Sequence, residues 1–332
     1  MAHAKAAASA RYAISLDVGG TLTKVAVVDR VGRIVQRLQA PSAHDIARED
    51  VPERVVQIVH DMLQAASLTV EQVAGVCVGI PGVIDSRTDF IVSCPNLTNW
   101  EGMPLAQQVQ AKLGLPTFLE KDANEAALGE HWVGAGRGVD DLICFTIGTG
   151  IGTGLILRGE LYRGSTGGAG ETGHIIVDKD GPICNCGNWG CLEALASARA
   201  ITHKARAFVE LGEPSVMLAM SDGDVQAISA ETVFKAAKAG DELAERVLAE
   251  ALEYLGVGIA GIVNAFNPEM VILGGGVAAA GEQLLAPVRR IVHRRARRLL
   301  AEHVQIVLAD LGSDAGVIGG AYLVFKAQEK EP

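Results

Sequence analysis

A chain of 332 residues has room for two domains of ordinary size, each with its own core. Hydrophobic residues make up 49% and charged residues 20%, which excludes a disordered chain, and a formal net charge of −10 argues against a general nucleic-acid binder. Asp17 follows the Ala-rich opening too soon for a signal-peptide core, and no run reaches the roughly 18 uninterrupted apolar residues of a membrane span, so no membrane partner is expected.

In the reducing cytoplasm this implies, the six cysteines are expected as thiols and metal ligands. Tyr12 to Asp29, YAISLDVGGTLTKVAVVD, reads as strand, Gly-Gly-Thr turn and strand. A glycine turn lets backbone N–H groups approach phosphate oxygens; Asp17 adds a carboxylate for hydrated Mg²⁺ and Thr21 a hydroxyl donor. Next come a helix near Glu53 to Ala66, a strand at Val73 to Gly79, a turn-rich stretch from Ile80 to Asn99 and a helix at Pro104 to Leu113. A short strand, Thr117 to Glu120, leads into a helix from Asn124 to Gly134. Asp122 falls at that junction, where its carboxylate either takes a proton from a hydroxyl or caps the helix; both readings stay open.

Leu142 to Leu157, LICFTIGTGIGTGLIL, repeats the strand–turn–strand pattern, with Gly148, Thr149 and Gly150 as a second phosphate cradle and a hint of internal duplication. His174, Cys184, Cys186 and Cys191 then stand in the spacing His-x9-Cys-x-Cys-x4-Cys, with Gly187 and Gly190 to bend the backbone. Three thiolates and an imidazole predict a closed, tetrahedral, structural Zn²⁺ site with no position for a catalytic water, with a cluster of reduced or disulfide-paired cysteines as the alternative. Glu171, His174 and Glu193 flank the loop as a rack for a polyhydroxyl ligand. Asp241 is expected to cap a long helix with apolar positions from Leu243 to Val263 at a 3.6-residue period. The strand Met270 to Leu273 runs into Gly274, Gly275 and Gly276, a third turn against which a nucleotide's flat face could lie. Arg289, Arg290, Arg294, Arg295, Arg297 and Arg298 crowd one helical region, read as a solvated face, with a polyanion site as the alternative. Neither GxxxxGK[ST] nor a GxGxxG between strand and helix occurs, and the alternation of strands and helices predicts an α/β fold.

The order DVGGT, GIPGVID, PNLTNW, EKDANEAALGE, GTGIGTG, ETGH, CNCGNWGCLE and GGGV resembles the ROK family of sugar kinases and repressors, its bacterial glucokinases above all, from about Tyr12 to Leu323. The resemblance implies two ribonuclease-H-like domains of the actin and hexokinase type around a central cleft. Residues 11–122 with 313–332 would form the first, the last helix returning to it, and 123–312 the larger second with the zinc loop. It implies Asp122 as the general base for transfer from ATP to a sugar's primary hydroxyl, with the sugar met by Gly82, Asn96, Lys121, Glu171, His174 and Glu193. Asp17, Gly19, Gly20, Thr21, Thr23, Gly148, Thr149, Gly150 and Gly274 to Gly276 match the nucleotide and Mg²⁺ elements. One nitrogen of His174 would ligate zinc while the other reaches the sugar, so that the metal orients a sugar ligand without touching the reacting phosphate. Lys121 stands where the family usually has a sugar-binding Asn, and either faces the sugar or turns outward. Glucose is the expected acceptor, with fructose, mannose, allose or N-acetylmannosamine as alternatives, polyphosphate as an alternative donor, and a dimer or tetramer as the assembly. The family's repressors carry a helix-turn-helix module; about eleven residues precede the first strand here, so the non-catalytic regulator is the lesser reading.

Overall fold

The computed structural model describes residues 10–330 apart from 43, 95 and 96. In chain order it forms β1 (Tyr12–Val18), β2 (Leu22–Asp29), β3 (Ile34–Pro41), α1 (Val51–Ala66), β4 (Val73–Ile80), β5 (Val83–Asp85), β6 (Phe90–Ser93), α2 (Leu105–Leu113), β7 (Thr117–Lys121) and α3 (Asp122–Val133). There follow β8 (Leu142–Ile147), β9 (Ile151–Leu157), β10 (Glu160–Leu161), α4 (Leu192–Ala196), α5 (Ala198–Glu210), α6 (Ala230–Lys238), α7 (Glu242–Phe266), β11 (Met270–Gly274), α8 (Glu282–Arg295), α9 (Arg298–His303), β12 (Gln305–Leu308) and α10 (Ala315–Lys330).

Two five-stranded sheets share one plan, β3-β2-β1-β4-β7 and β10-β9-β8-β11-β12. In the first, β1 pairs antiparallel with β2 and parallel with β4, and β4 pairs parallel with β7. In the second, β11 runs parallel to both β8 and β12. This is the ribonuclease-H-like α/β arrangement that the family resemblance implies, and the repeated order matches the duplication suggested by the two glycine hairpins.

The first sheet is buried on both faces, which is why β4 reads as a continuous apolar run and is buried at every position. Large side chains, Ile14, Leu16, Val25 and Val27, meet Val55, Val59 and Met62 of α1. The opposite face carries small ones, Ala13, Ala26, Ala74 and Cys77, against Val317, Ala321 and Val324 of α10. The same thinness recurs where α10 crosses α3. A Cβ on Gly319 would lie 1.7 Å from the Glu125 carbonyl oxygen, and one on Gly129 would lie 2.3 Å from that of Ala315. Only bare Cα atoms allow this approach.

The chain divides into two compact units, the described parts of Met1–Asp140, Gly154–Gly170 and Asp310–Pro332, and of Asp141–Thr153 and Glu171–Ala309. The last helix, α10, groups with the first unit, and α3, expected in the second domain, packs on it there. Gly154 lies there too, its Cα closing on Ala123 and Ala127 of α3. Two local expectations also change. The stretch after Ile80 contains the antiparallel hairpin β5–β6, and the helix expected from Asn124 begins at Asp122. In the second unit Asp241 caps α7, accepting from Ala244 N at 2.8 Å. Among the described residues α7 alone is long and apolar enough to cross a bilayer, yet 61% of its apolar window is buried, and it packs on α4, α6 and α8 as a core helix.

Candidate active site

In the first unit, the carboxyl ends of three neighbouring strands carry the expected residues. Asp17 near the end of β1 pairs with Gly79 of β4, and Ile80 pairs with Lys121 of β7, so Asp17, Gly82 and Asp122 all leave the same edge of the sheet. Open parallel sheets bind ligands outside such an edge. The turn after β1 is closed by Gly19 N donating to Leu22 O at 3.1 Å and braced by Ser42 Oγ donating to Gly19 O at 2.6 Å. Gly20 and Thr21 stay exposed, whereas Thr23 is buried with its hydroxyl 3.2 Å from that of Ser42, behind the turn rather than in it. Burial raises the Asp17 pKa, opposed by Lys24, whose Nζ is 3.6 Å away. Gly82 sits where a Cβ would lie 2.2 Å from Ser93 O; Asn96 lies outside the described residues.

Asp122 is the first residue of α3, and Lys121 is the N-cap. Its Oδ1 accepts from Ala123 N at 2.7 Å, so the half-buried carboxylate rests on the helix N-terminus, where free N–H groups and the dipole attract negative charge. Glu120 holds this junction from β7. One oxygen accepts from Lys121 N and Asn124 Nδ2 at 2.9 and 2.8 Å, the other from Arg163 Nε and Nη2 at 2.9 and 2.6 Å. Lys121 is buried, and its Nζ donates to Gly170 O at 3.4 Å. Behind Asp122 lies a residue sequence reasoning missed, Glu125, fully buried with Oε1 accepting from the Cys77 thiol at 3.2 Å. Burial, then the Asp17, Glu120 and Asp122 carboxylates, hold its pKa well above the usual range. Burial with Glu101 and Asp122 likewise pushes the Cys94 thiol up to about 12.

In the second unit, His174, Cys184, Cys186 and Cys191 bring four ligand atoms within 4.8 Å of one another. Cys186 Sγ and Cys191 Sγ are 3.6 Å apart, and Cys184 Sγ is 3.7 Å from His174 Nδ1. Tetrahedral zinc with bonds of about 2.3 Å to sulfur and 2.0–2.1 Å to nitrogen has edges of roughly this length, so the set fits that ion. The loop is shaped by Gly187 at φ +89° and Gly190 at φ +65°; a Cβ on Gly190 would strike Asp178 O. His174 Nε2 points the other way, 3.8 Å from Glu171 Oε2. Glu193 Oε2 accepts from Ile151 N at 3.0 Å, and its Oε1 is 3.4 Å from Arg199 Nη2. Thr149 at the end of β8 is exposed, and Gly275 at φ +80° has its Cα against the Ile147 backbone, which sets the turns at Gly148–Gly150 and Gly274–Gly276 side by side.

A ribonuclease-H-like sheet order repeated twice, glycine turns at the carboxyl ends of parallel strands and a junction carboxylate are the plan of an actin- and hexokinase-type phosphotransferase. The chain belongs to the ROK family, whose model matches residues 13–327. It is 37% identical over 322 residues to a glucokinase of Halalkalibacterium halodurans, covering 97% of each chain. It is 31% identical over 306 residues to a xylose repressor of Caldicellulosiruptor bescii, covering 92% of this chain and 76% of the repressor. Among solved structures, a ROK family glucokinase from Streptomyces griseus in complex with glucose and AMPPNP is 36% identical with a TM-score of 0.79, over 95% of this chain and 99% of that one.

Proposed function

We propose that the protein is a hexose kinase that transfers the γ-phosphoryl group of ATP to the 6-hydroxyl of glucose, with Asp122 as general base. The reaction class is supported by family membership and by the glucokinase relatives. The assignment of roles rests on one observation above others: adjacent parallel strands deliver Asp17, Gly82 and Asp122 to one sheet edge. Phosphoryl transfer asks a protein mainly for positioning and charge neutralisation. Asp122 takes the hydroxyl proton as the O6–phosphorus bond forms and the bond to ADP breaks. Asp17 holds hydrated Mg²⁺, N–H groups at Gly19–Thr21 and Gly148–Gly150 cradle the phosphates, and Gly274–Gly276 meets the nucleotide. Glu171, His174, Glu193 and the backbone at Gly82 bind sugar hydroxyls. Bound Zn²⁺ supplies a rigid structural corner, and a His174 whose Nδ1 faces the cysteines keeps Nε2 for the sugar.

ATP is favoured over polyphosphate because four of the six clustered arginines already face carboxylates: Arg289 at Glu282, Arg294 and Arg295 at Glu253, Arg298 at Glu302. A second reading, a sugar-responsive regulator, is favoured by the repressor likeness. A cytoplasmic location and a dimer or tetramer complete the proposal. Coupled assays over glucose, fructose, mannose, allose and N-acetylmannosamine, with Mg-ATP against polyphosphate, test it. The highest kcat/KM is expected with glucose and ATP; sugar binding without turnover on any pair would favour the regulator.

A further inference from the structure

The segment Ile151–Thr153, which continues the second phosphate turn into β9, is gripped from two sides. On one side Thr172 and Gly173 immediately precede the zinc ligand His174. The Thr172 and Thr153 hydroxyls are 2.5 Å apart, both buried, and the Gly173 Cα is pressed so closely on Ile151 that a Cβ would lie 2.2 Å from its carbonyl oxygen. On the other side Glu193 lies two residues past the zinc ligand Cys191, which is the N-cap of α4. Its Oε2 accepts from Ile151 N at 3.0 Å, and its carboxylate takes the space that a Cβ on Gly150 would need, 2.4 Å away. The same stretch reaches the turn itself: Ala198 N donates to Gly148 O at 2.9 Å, just after Ser197 N donates to Glu193 O at 3.2 Å. Both grips begin within two residues of a zinc ligand. The chain ends that the metal pins together are the ends that hold the turn.

We infer that the zinc loop is the mount of the Gly148–Gly150 turn, with Thr172, Gly173 and Glu193 as positioning residues that join the metal site to the phosphate site. Zinc therefore serves the nucleotide as well as the sugar, contrary to the expectation that it leaves the phosphate side untouched. This rests on the reading that the turn contacts phosphate.

Calorimetric titration with Mg-AMPPNP and with glucose, each without the other, tests this on four proteins: zinc-loaded wild type, wild type stripped by a chelator with its fold checked by circular dichroism, Thr153→Val/Thr172→Val, and Thr149→Ala. Replacing both hydroxyls together leaves no buried orphan, so the double variant is expected to fold. Stripping is expected to weaken AMPPNP binding by about tenfold, the lower end for supports of a metal site. The double variant is expected to keep its zinc and its glucose affinity within about twofold while losing about fivefold in AMPPNP affinity, the share of one hydrogen bond. Unchanged AMPPNP affinity in both the stripped protein and the double variant overturns the inference, provided Thr149→Ala weakens nucleotide binding. If Thr149→Ala has no effect either, the phosphate reading of the turn is what fails. Should stripping unfold the protein, the double variant alone decides, and a wild type that holds no zinc on metal analysis contradicts the mount outright.

Discussion

Glu125 is a fully buried carboxyl set among other carboxylates. Its pKa is raised from the ordinary 4.5 by burial first and by Asp17, Glu120 and Asp122 next. The folded protein thus binds a proton that the unfolded chain releases above about pH 4.5, so Glu125's contribution to stability is full below that value and is lost as pH rises toward the folded pKa. Glu125→Gln keeps the neutral shape and removes the titration. The melting temperature of the variant is expected to gain on wild type steadily between about pH 5 and pH 8, and a pH-independent difference would show that Glu125 is ionised in the fold. Nothing in the sequence announced this residue. In DANEAALGE the glutamate three positions after Asp122 carries no mark of burial, yet α3 is buried from Ala123 to Glu130. Lys121 was legible as a departure and ambiguous in direction. With its ammonium on the Gly170 carbonyl, Lys121→Asn is expected to leave kcat within about threefold and to shift the glucose KM by less than about tenfold, about the worth of one hydrogen bond. A collapse of kcat would give Lys121 a part in the chemistry.

Elements were legible where a pattern or a turn residue marks them. The apolar period of α7 and its Asp241 cap stand in the sequence because one stripe of that helix is buried, and the twin hairpins because glycines mark their turns. The hairpin β5–β6 was not, since strands of three and four residues carry too little alternation to register. The membership of α3 was hidden for another reason: its attachment to α10 is written in glycines, which mark a turn as readily as a close helix crossing. Gly319→Ala would drive a Cβ into the Glu125 carbonyl and is expected to cost about 1–3 kcal/mol in urea denaturation. Gly261→Ala, on the exposed side of α7 with open space around it, is expected to be neutral or to gain up to about 1 kcal/mol. Equal effects of the two would contradict the close crossing. In the zinc loop, Cys184→Ser is expected to release the metal, lower the melting temperature and weaken glucose binding. Retention of full thermal stability with no zinc bound would mean that the loop holds itself.

At the scale of the whole molecule, two copies of one sheet order place glycine turns at strand ends, with Asp122 at the end of β7, and the motif order carried that plan clearly in the sequence. What it did not carry is the division of the chain. The segment Gly154–Gly170 belongs with the first unit although it lies between segments of the second, a three-dimensional fact that no local pattern encodes. The assignment of Asp122 ties these levels together, because the strand end, the helix start and the chemistry meet in that one side chain. The most direct test is Asp122→Asn, with turnover of glucose and Mg-ATP followed by a coupled assay and glucose affinity measured by calorimetry on the same preparation. We predict a fall in kcat of about 10²- to 10⁴-fold with glucose affinity largely kept, as for loss of a general base. Turnover retained at the wild-type rate would contradict it.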